Sequence, residues 1–83
     1  MDALDIALQQ AARRRALPHP AARRELRNAA GLSQADVAAV LGVTGGCISR
    51  WEAGSRSPRP THVGRYLHLL EPLAVEVTRT AER

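Results

Sequence analysis

A chain of 83 residues is long enough for one small domain with a modest core and too short for two such domains. Its single cysteine excludes an internal disulfide framework, its apolar runs are too short to span a membrane, and its acidic start lacks the basic region of a secretory signal, so we expect a cytoplasmic protein. Its net charge of +4 is concentrated in residues 13–65, where ten arginines and three acidic residues give +7. This distribution is typical of a polyanion-binding face, whereas the arginine bias of a GC-rich genome would explain the absence of lysine but not the clustering.

Residues 1–17 have the pattern of a first helix. Acidic residues stand near its amino end and three arginines, residues 13–15, near its carboxyl end, as the helix dipole favours. Leu4, Leu8 and Ala11 form a narrow apolar stripe at helical spacing. The stripe could pack on the domain, pair with a partner chain or belong to an unstructured tail. We interpret the arginines as a solvated helix end rather than as phosphate contacts.

The sequence Pro18-His19-Pro20 interrupts the helical pattern, because each proline disfavours helix in the residue before it and lacks a backbone donor. Pro20 suits the first position of a second helix, which we expect to run to about residue 30 and to end at Gly31. Residues 1–19 are therefore predicted to be an N-terminal helical extension with a proline-bounded linker.

Residues 33–51, SQADVAAVLGVTGGCISRW, organise the rest of the chain. Ser33 is an N-cap, and Asp36 can bond back to its backbone N–H in a weaker form of the capping box. Apolar residues recur at helical spacing up to Gly42, where positive φ costs little and the first of two helices should end.

The cap pattern repeats one element later. Thr44 can cap a second helix, on which Ile48 and Trp51 form an apolar pair three residues apart. A short helix, a glycine turn and a second short helix with an apolar inner face describe a helix-turn-helix. The sequence therefore predicts an all-α fold around this motif.

Residues 53–60, AGSRSPRP, are typical of a loop. Thr61 can cap a further helix that runs to about residue 70. Pro72 either opens a last helix or ends the ordered part. In the remaining C-terminal segment, residues 71–83, the apolar spacing favours a helix, although residues 75–80 alternate like an edge strand that a symmetric dimer could pair.

The run LR…GLSQADVAAVLGVTGGCISRWEAGSRSP resembles the phage-repressor and Cro-like (Xre) helix-turn-helix domain. The resemblance covers about residues 20–70 and depends on Gly-Leu-Ser-Gln, Leu-Gly-Val-Thr and Trp-Glu-x-Gly followed by a proline. It implies a compact lambda-repressor-like bundle of about five helices. The helix after the glycine turn, about residues 44–52, would lie in the major groove of double-stranded DNA.

The resemblance and the helix geometry together define candidate groove contacts. Because Ile48 and Trp51 face inward, the exposed face of the second helix is expected to comprise Thr44, Gly45, Gly46, Cys47 and Arg50. Arg50 is the best base-reading candidate, since a guanidinium can bond to both O6 and N7 of guanine; a phosphate contact or a solvated side chain are its alternatives. In the resembling family the residue at the position of Gln34 holds a helix amino end, which suits a phosphate, and can also touch a base; the resemblance implies the same role for Gln34.

Gly45 and Gly46 depart from the family pattern, in which these positions commonly carry base-reading side chains. Glycine removes that capacity but allows the backbone to approach the groove closely. Specificity would then rest on Thr44, Cys47, Arg50 and DNA shape, or the preference would be broad. Cys47 could touch a thymine methyl group or simply be a small residue near the backbone.

Other residues are expected to position the protein rather than to read sequence. Ser33, Arg56 and Arg59 are predicted phosphate contacts, with an ordinary basic loop as the alternative for the two arginines. Arg27 and Glu52 match family positions that form a partly buried ion pair, and the Arg27 guanidinium could also reach a phosphate.

The sequence therefore predicts a DNA-binding transcription regulator, a small repressor or Cro-like switch protein that occupies an operator as a homodimer. Dimer contacts are expected from the first helix or from Tyr66, Leu67, Leu70 and Leu73. The alternatives are an antitoxin whose flanking segments wrap a toxin, and a phage architectural or recombination-directionality factor.

An enzyme is not expected, and neither is a cofactor or a metal. The three histidines do not form an i, i+4 metal pair, and the single cysteine has no evident general base. No glycine-rich phosphate loop follows a strand.

Overall fold

The computed structural model describes residues 2–81, which form five helices. They are α1 (Ala3–Ala16), α2 (Pro20–Ala29), α3 (Gln34–Leu41), α4 (Gly45–Ala53) and α5 (Pro60–Ala81). No strand occurs within residues 2–81, so the predicted all-α fold of about five helices is confirmed. Predictions that fall on residues 1, 82 and 83 lie outside the described range.

The core lies between α3, α4 and α5. The buried hydrophobic residues are Val37, Ala38, Leu41, Ile48, Trp51, Val63, Tyr66 and Leu70. The Trp51 ring lies 5.6 Å from the ring of Tyr66 and 5.8 Å from that of His62, measured between centroids. Because α2 packs on α4 and α5 while α3 packs on α4, the inner face of α4 is fixed and its outer face is left to solvent.

The first helix packs against α5 and buries none of its own residues. Asp2 caps it, since its carboxylate accepts a hydrogen bond from the backbone N–H of Asp5 at 2.9 Å. Leu4 and Leu8 are each more than half exposed, and Ile6 is also exposed. The segment is therefore helical rather than an unstructured tail, and Leu4 and Leu8 of its apolar stripe are left uncovered while Ala11 is half-buried.

The start of α5 differs from the prediction. The helix begins at Pro60, so Thr61 lies inside the first turn and is not the N-cap. Proline is well suited to the first helical position, because the N–H that it lacks would have no partner there. The carbonyl of Arg59 accepts from the N–H groups of His62 and Val63, at 2.8 and 3.2 Å.

Pro72 neither opens a helix nor ends one, because α5 runs through it to Ala81. Packing favours the helix: Leu70 is buried and the apolar residues 73, 74 and 77 are half-buried on the same face. Pro72 itself is exposed, so the backbone hydrogen bond that it cannot donate is lost on the solvent side. The edge-strand alternative for residues 75–80 is wrong, and residue 70 is not a helix boundary.

Candidate nucleic-acid interface

Both ends of α3 have the predicted local structure. The Asp36 N–H donates to Ser33 Oγ at 3.0 Å, and the Ser33 N–H donates to Asp36 Oδ2 at 2.8 Å, which completes the capping box. The hydrogen bond from the Ser33 backbone holds the pKa of the Asp36 carboxyl below its ordinary value. Gly42 then ends α3 with a φ of +71°, and its N–H donates to the Ala38 carbonyl. The local sequence thus determines where α3 ends.

The fourth helix presents different faces to the core and to solvent. Its N-cap is Thr44, whose hydroxyl accepts from the Cys47 N–H at 3.2 Å. Ile48 and Trp51 are buried on the inner side. The outer face carries the exposed residues Thr44, Gly46, Ser49 and Arg50. The face that would meet a ligand is therefore small and polar, with one charged side chain.

The Arg50 guanidinium lies over Gly46. A Cβ atom added at Gly46 would be 3.7 Å from both Nη1 and Nη2 of Arg50 and 3.8 Å from the Thr44 hydroxyl oxygen. At Gly45 no atom lies within 4 Å of the equivalent position. Arg50 therefore lies along the amino-terminal turn of α4, beside Thr44, and an added methyl group at Gly46 would meet it only at ordinary van der Waals distance.

A cavity of about 360 Å³ lies beside α4 and is lined by Cys47, Arg50, Arg56 and Arg59 among others. Cys47 is half-buried and packs against the core. A hydrogen bond with Thr44 lowers the pKa of its thiol, and the nearby Arg50 guanidinium acts in the same direction. The structure therefore brings together two predicted groove residues and the two predicted phosphate-binding arginines of the loop after α4.

Arg27 and Glu52 form a bidentate ion pair that joins α2 to α4. Arg27 Nε donates to Glu52 Oε2 at 2.6 Å, and Nη2 donates to Oε1 at 2.9 Å. The third guanidinium nitrogen, Nη1, donates to the Leu32 carbonyl at 2.9 Å. Gln34 Nε2 donates to Glu52 Oε1 at 3.2 Å, so the amino end of α3 joins the same cluster.

Burial and pairing both act on this cluster. Burial alone would raise the pKa of Glu52, but hydrogen bonds from Arg27 and Gln34 outweigh it and the pKa is lowered. The hydrogen bond to Glu52 raises the pKa of Arg27. All three guanidinium nitrogens of Arg27 are engaged and only 8% of the residue is exposed, so it does not lie at the outer surface as a phosphate contact. The Gln34 side chain is likewise turned toward Glu52, while Ser33 is exposed at the start of α3.

The predicted dimer residues divide into two groups. Tyr66 and Leu70 are only 1% and 3% exposed in the single chain, so they belong to the core and cannot contact a partner. This part of the prediction is wrong, because the sequence shows the apolar face of α5 but not which part of it α2, α3 and the Trp51 ring cover. Leu67 and Leu73 are half-buried and remain accessible.

Sequence reasoning did not single out Ser49 on α4 or Arg23 on α2. Ser49 is exposed one turn after Gly45, and helical periodicity could have identified it because its neighbours on the inner face were already known. Arg23 is 6% exposed, with its guanidinium carbon 5.4 Å from the centroid of the Tyr66 ring. No sequence signal distinguished Arg23 from the arginines around it.

Neither a cluster of metal-ligating side chains nor a membrane-crossing helix is found in the described part of the chain. No three histidine, cysteine or carboxylate side chains among residues 2–81 cluster closely enough to hold a metal ion. None of the five helices, as described, combines the length and hydropathy that a membrane crossing needs.

A family model described as a helix-turn-helix domain matches residues 24–79. Comparisons with curated proteins and with solved structures gave no match. The matched range runs from α2 almost to the end of α5 and includes the whole α3–turn–α4 unit. Because this range is well over half of the sequence, the chain belongs to the helix-turn-helix domain family, a family of DNA-binding domains.

Proposed function

We propose that this protein is a sequence-specific double-stranded DNA-binding transcription regulator of the phage-repressor and Cro-like (Xre) type. In this proposal it is a small repressor or switch protein of a phage, plasmid or bacterial chromosome, which occupies an operator and excludes polymerase. The observation that carries the proposal is the outer face of α4, where Arg50 is exposed beside Thr44 and above a glycine. A single arginine on an otherwise small helix face suits a guanine, which presents the two acceptors O6 and N7 in the major groove.

Base recognition would take place at the amino-terminal half of α4. With α4 in the major groove, Arg50 donates to O6 and N7 of guanine, and Thr44 lies close enough to share the contact. Gly45 and Gly46 let the helix backbone approach the groove more closely than bulkier residues would. Cys47 is half-buried, so it lines the edge of the contact rather than its centre.

Phosphate contacts would come from both sides of α4. Arg56 and Arg59 line the cavity beside Cys47 and Arg50, which supports a role in binding the backbone that borders the same groove. The capped amino end of α3, with Ser33 exposed, is the second anchor. Arg27, Glu52 and Gln34 would hold α3 and α4 in register, and Gln34 would have to leave Glu52 to reach a base.

The proposed assembly is a homodimer that binds two half-sites one helical turn apart, about 34 Å. Exposed apolar side chains on α1 and on the second half of α5 support this part: Leu4, Ile6, Leu8 and Val75. Leu67 and Leu73 are the accessible residues of the predicted dimer set. A monomeric mass at micromolar concentration, together with protection of one half-site, would contradict the dimer.

Selection of bound duplexes from a random DNA library tests the proposal. We expect a recurring motif that contains a guanine and has two-fold symmetry, with Arg50→Ala abolishing the preference at that guanine. Arg65→Ala is the matched control, since it removes the same charge from an exposed residue of α5 that lines none of the surface assigned to DNA. If the wild-type protein recovered sequences that share no motif, the proposal of sequence-specific binding would be wrong.

One alternative is favoured by a particular observation. The exposed apolar stripe of α1 lies outside the matched range 24–79, as a toxin-binding segment of an antitoxin would. Native mass spectrometry of the protein expressed with its genomic neighbour separates the two cases, because an antitoxin would form a heteromeric complex of defined mass.

A further inference from the structure

An open cavity of about 410 Å³ lies where α1 ends and α2 begins. Its wall includes Arg14, Arg15, His19 and Arg23, and no acidic residue contributes to it. Ser57 lines both this cavity and the one beside α4. The cavity is therefore strongly basic and adjoins the loop that follows the candidate recognition helix.

Arg23 forms the buried part of this wall, with 6% of the residue exposed. Its Nε donates to the Pro18 carbonyl at 3.1 Å, and its guanidinium lies against the Tyr66 ring. Its Nη1 is buried and has no hydrogen-bond partner, the one such side-chain nitrogen or oxygen among the described residues. A buried cation with an unpartnered donor is unfavourable, and Arg23 lines this cavity, so an anion there would offer its guanidinium the negative partner that the protein does not supply.

The amino end of α2 points to the same kind of ligand. The N-cap, His19, makes no side-chain hydrogen bond to the helix, and Pro20 occupies the first turn. His19 and Pro20 both line the cavity, so the positive end of the α2 dipole is at its wall. Together with Arg23, the uncapped first turn offers N–H donors to an oxyanion.

We propose that this cavity is a binding site for a phosphate-type oxyanion. Arg23 and the first turn of α2 bind the anion at the base, and Arg14 and Arg15 bind it at the rim. The anion is either a backbone phosphate of DNA lying across the loop that contains Ser57 or a free phosphate compound. The site follows from the cavity itself and does not depend on the proposed DNA-reading function.

The first test uses inorganic phosphate and the full-length ¹⁵N-labelled protein at constant ionic strength. We expect saturable chemical-shift changes at the Arg23 Nε–H and at the backbone amides of residues 21 and 22. We expect at least one of the separate variants Arg14→Ala and Arg15→Ala to raise the phosphate Kd by roughly fivefold or more. Such an increase corresponds to the loss of one charge-assisted hydrogen bond.

Arg13→Ala is the matched control, because Arg13 is exposed on the same helix and lines a different groove. It removes the same charge and should leave the phosphate Kd within about twofold, as expected for screened surface charges. Shifts that do not saturate, or that weaken equally in all three variants, would overturn the site.

The second test identifies the source of the anion. Fluorescence anisotropy with a random-sequence duplex, repeated over a range of salt, gives the slope of log K against log salt. If the anion is a DNA phosphate, the variant that weakens phosphate binding should reduce that slope by roughly 1, and Arg13→Ala should not. An unchanged slope assigns the site to a free phosphate compound. If the wild type bound no DNA at all, the proposed function would fail and the phosphate titration would still decide this site.

Discussion

Replacing Glu52 with glutamine removes the negative charge from the α2–α4 ion pair while keeping its shape. Arg27 then stays buried with its charge unpaired, since the side chains of Arg27 and Glu52 are only 10% and 3% exposed. Breaking a buried pair by deleting one partner costs about 3–5 kcal/mol, and glutamine keeps one acceptor oxygen, so we expect a loss of about 2–3 kcal/mol in the free energy of unfolding. That is a large share of the roughly 5–15 kcal/mol of a typical domain.

Urea unfolding followed by tryptophan fluorescence measures this loss. Trp51 is the single tryptophan, it is buried, and it adjoins Glu52, so its emission reports the packing of α4 directly. Glu25→Gln is the control, because Glu25 carries the same charge as Glu52 but is exposed, on the helix that contains Arg27. DNA affinity should fall with Glu52→Gln and not with Glu25→Gln, since only the former frees α4 from α2.

The same pair predicts the direction of the pH dependence. The pKa of Glu52 is lower in the folded than in the unfolded chain, so its contribution to stability is complete above the ordinary glutamate pKa of about 4.3 and disappears as the pH falls toward the folded value. Glu52→Gln should therefore lose less stability than wild type between neutral pH and this acidic range. Wild-type stability and DNA affinity in Glu52→Gln would refute the assigned role of the pair.

Five further substitutions test the other assignments. Arg50→Ala should weaken binding to the selected site by about 1–3 kcal/mol and leave random DNA nearly unaffected, as competition binding would report; equal losses would make Arg50 a phosphate contact. Arg56→Ala and Arg59→Ala should weaken binding to all sequences and each reduce the salt slope by roughly 1. Gly46→Ala should raise the free energy of unfolding in urea by up to roughly 1 kcal/mol of helix propensity, and its methyl group would meet the Arg50 guanidinium at an ordinary contact distance of 3.7 Å. Binding to the selected site should nevertheless weaken, because the methyl group adds bulk where the α4 backbone approaches the groove. Leu70→Ala should destabilise the single chain by about 2–5 kcal/mol in urea unfolding, as a core residue does, and a purely oligomeric effect in sedimentation would contradict its burial.

The caps around the central turn could be predicted from sequence because their bonds join residues three or four apart. Ser33, Gly42 and Thr44 each act on the helix that they begin or end, and no distant contact is needed to identify them. The burial of Tyr66 could not be predicted in this way. An apolar stripe on α5 fits a core and a dimer equally well until α2 and α3 are seen to pack on that helix and Trp51 to lie against Tyr66.

The side-chain positions at the candidate site were less accessible still. The departure from the family pattern at Gly46 was evident from the sequence, but the position of Arg50 above it depends on a rotamer that only the structure gives. The engagement of Gln34 by Glu52 spans 18 positions in the chain, so it required the packing of α3 on α4. Pro72 was misread because proline in isolation predicts a helix end, whereas the packed face of α5 continues on both sides of it.

The uninterrupted length of α5 has a geometric consequence for any assembly of this chain. A helix of 22 residues is about 33 Å long, and its first half lies in the core while α1 packs along the same rod. A partner that binds to α1 is therefore held at a fixed distance and in a fixed direction from α4. In a dimer formed through α1 or through the second half of α5, the length of α5 would help to set the spacing between half-sites. Lengthening α5 by one turn, rather than altering any DNA contact, would be the change that shifts the preferred spacing.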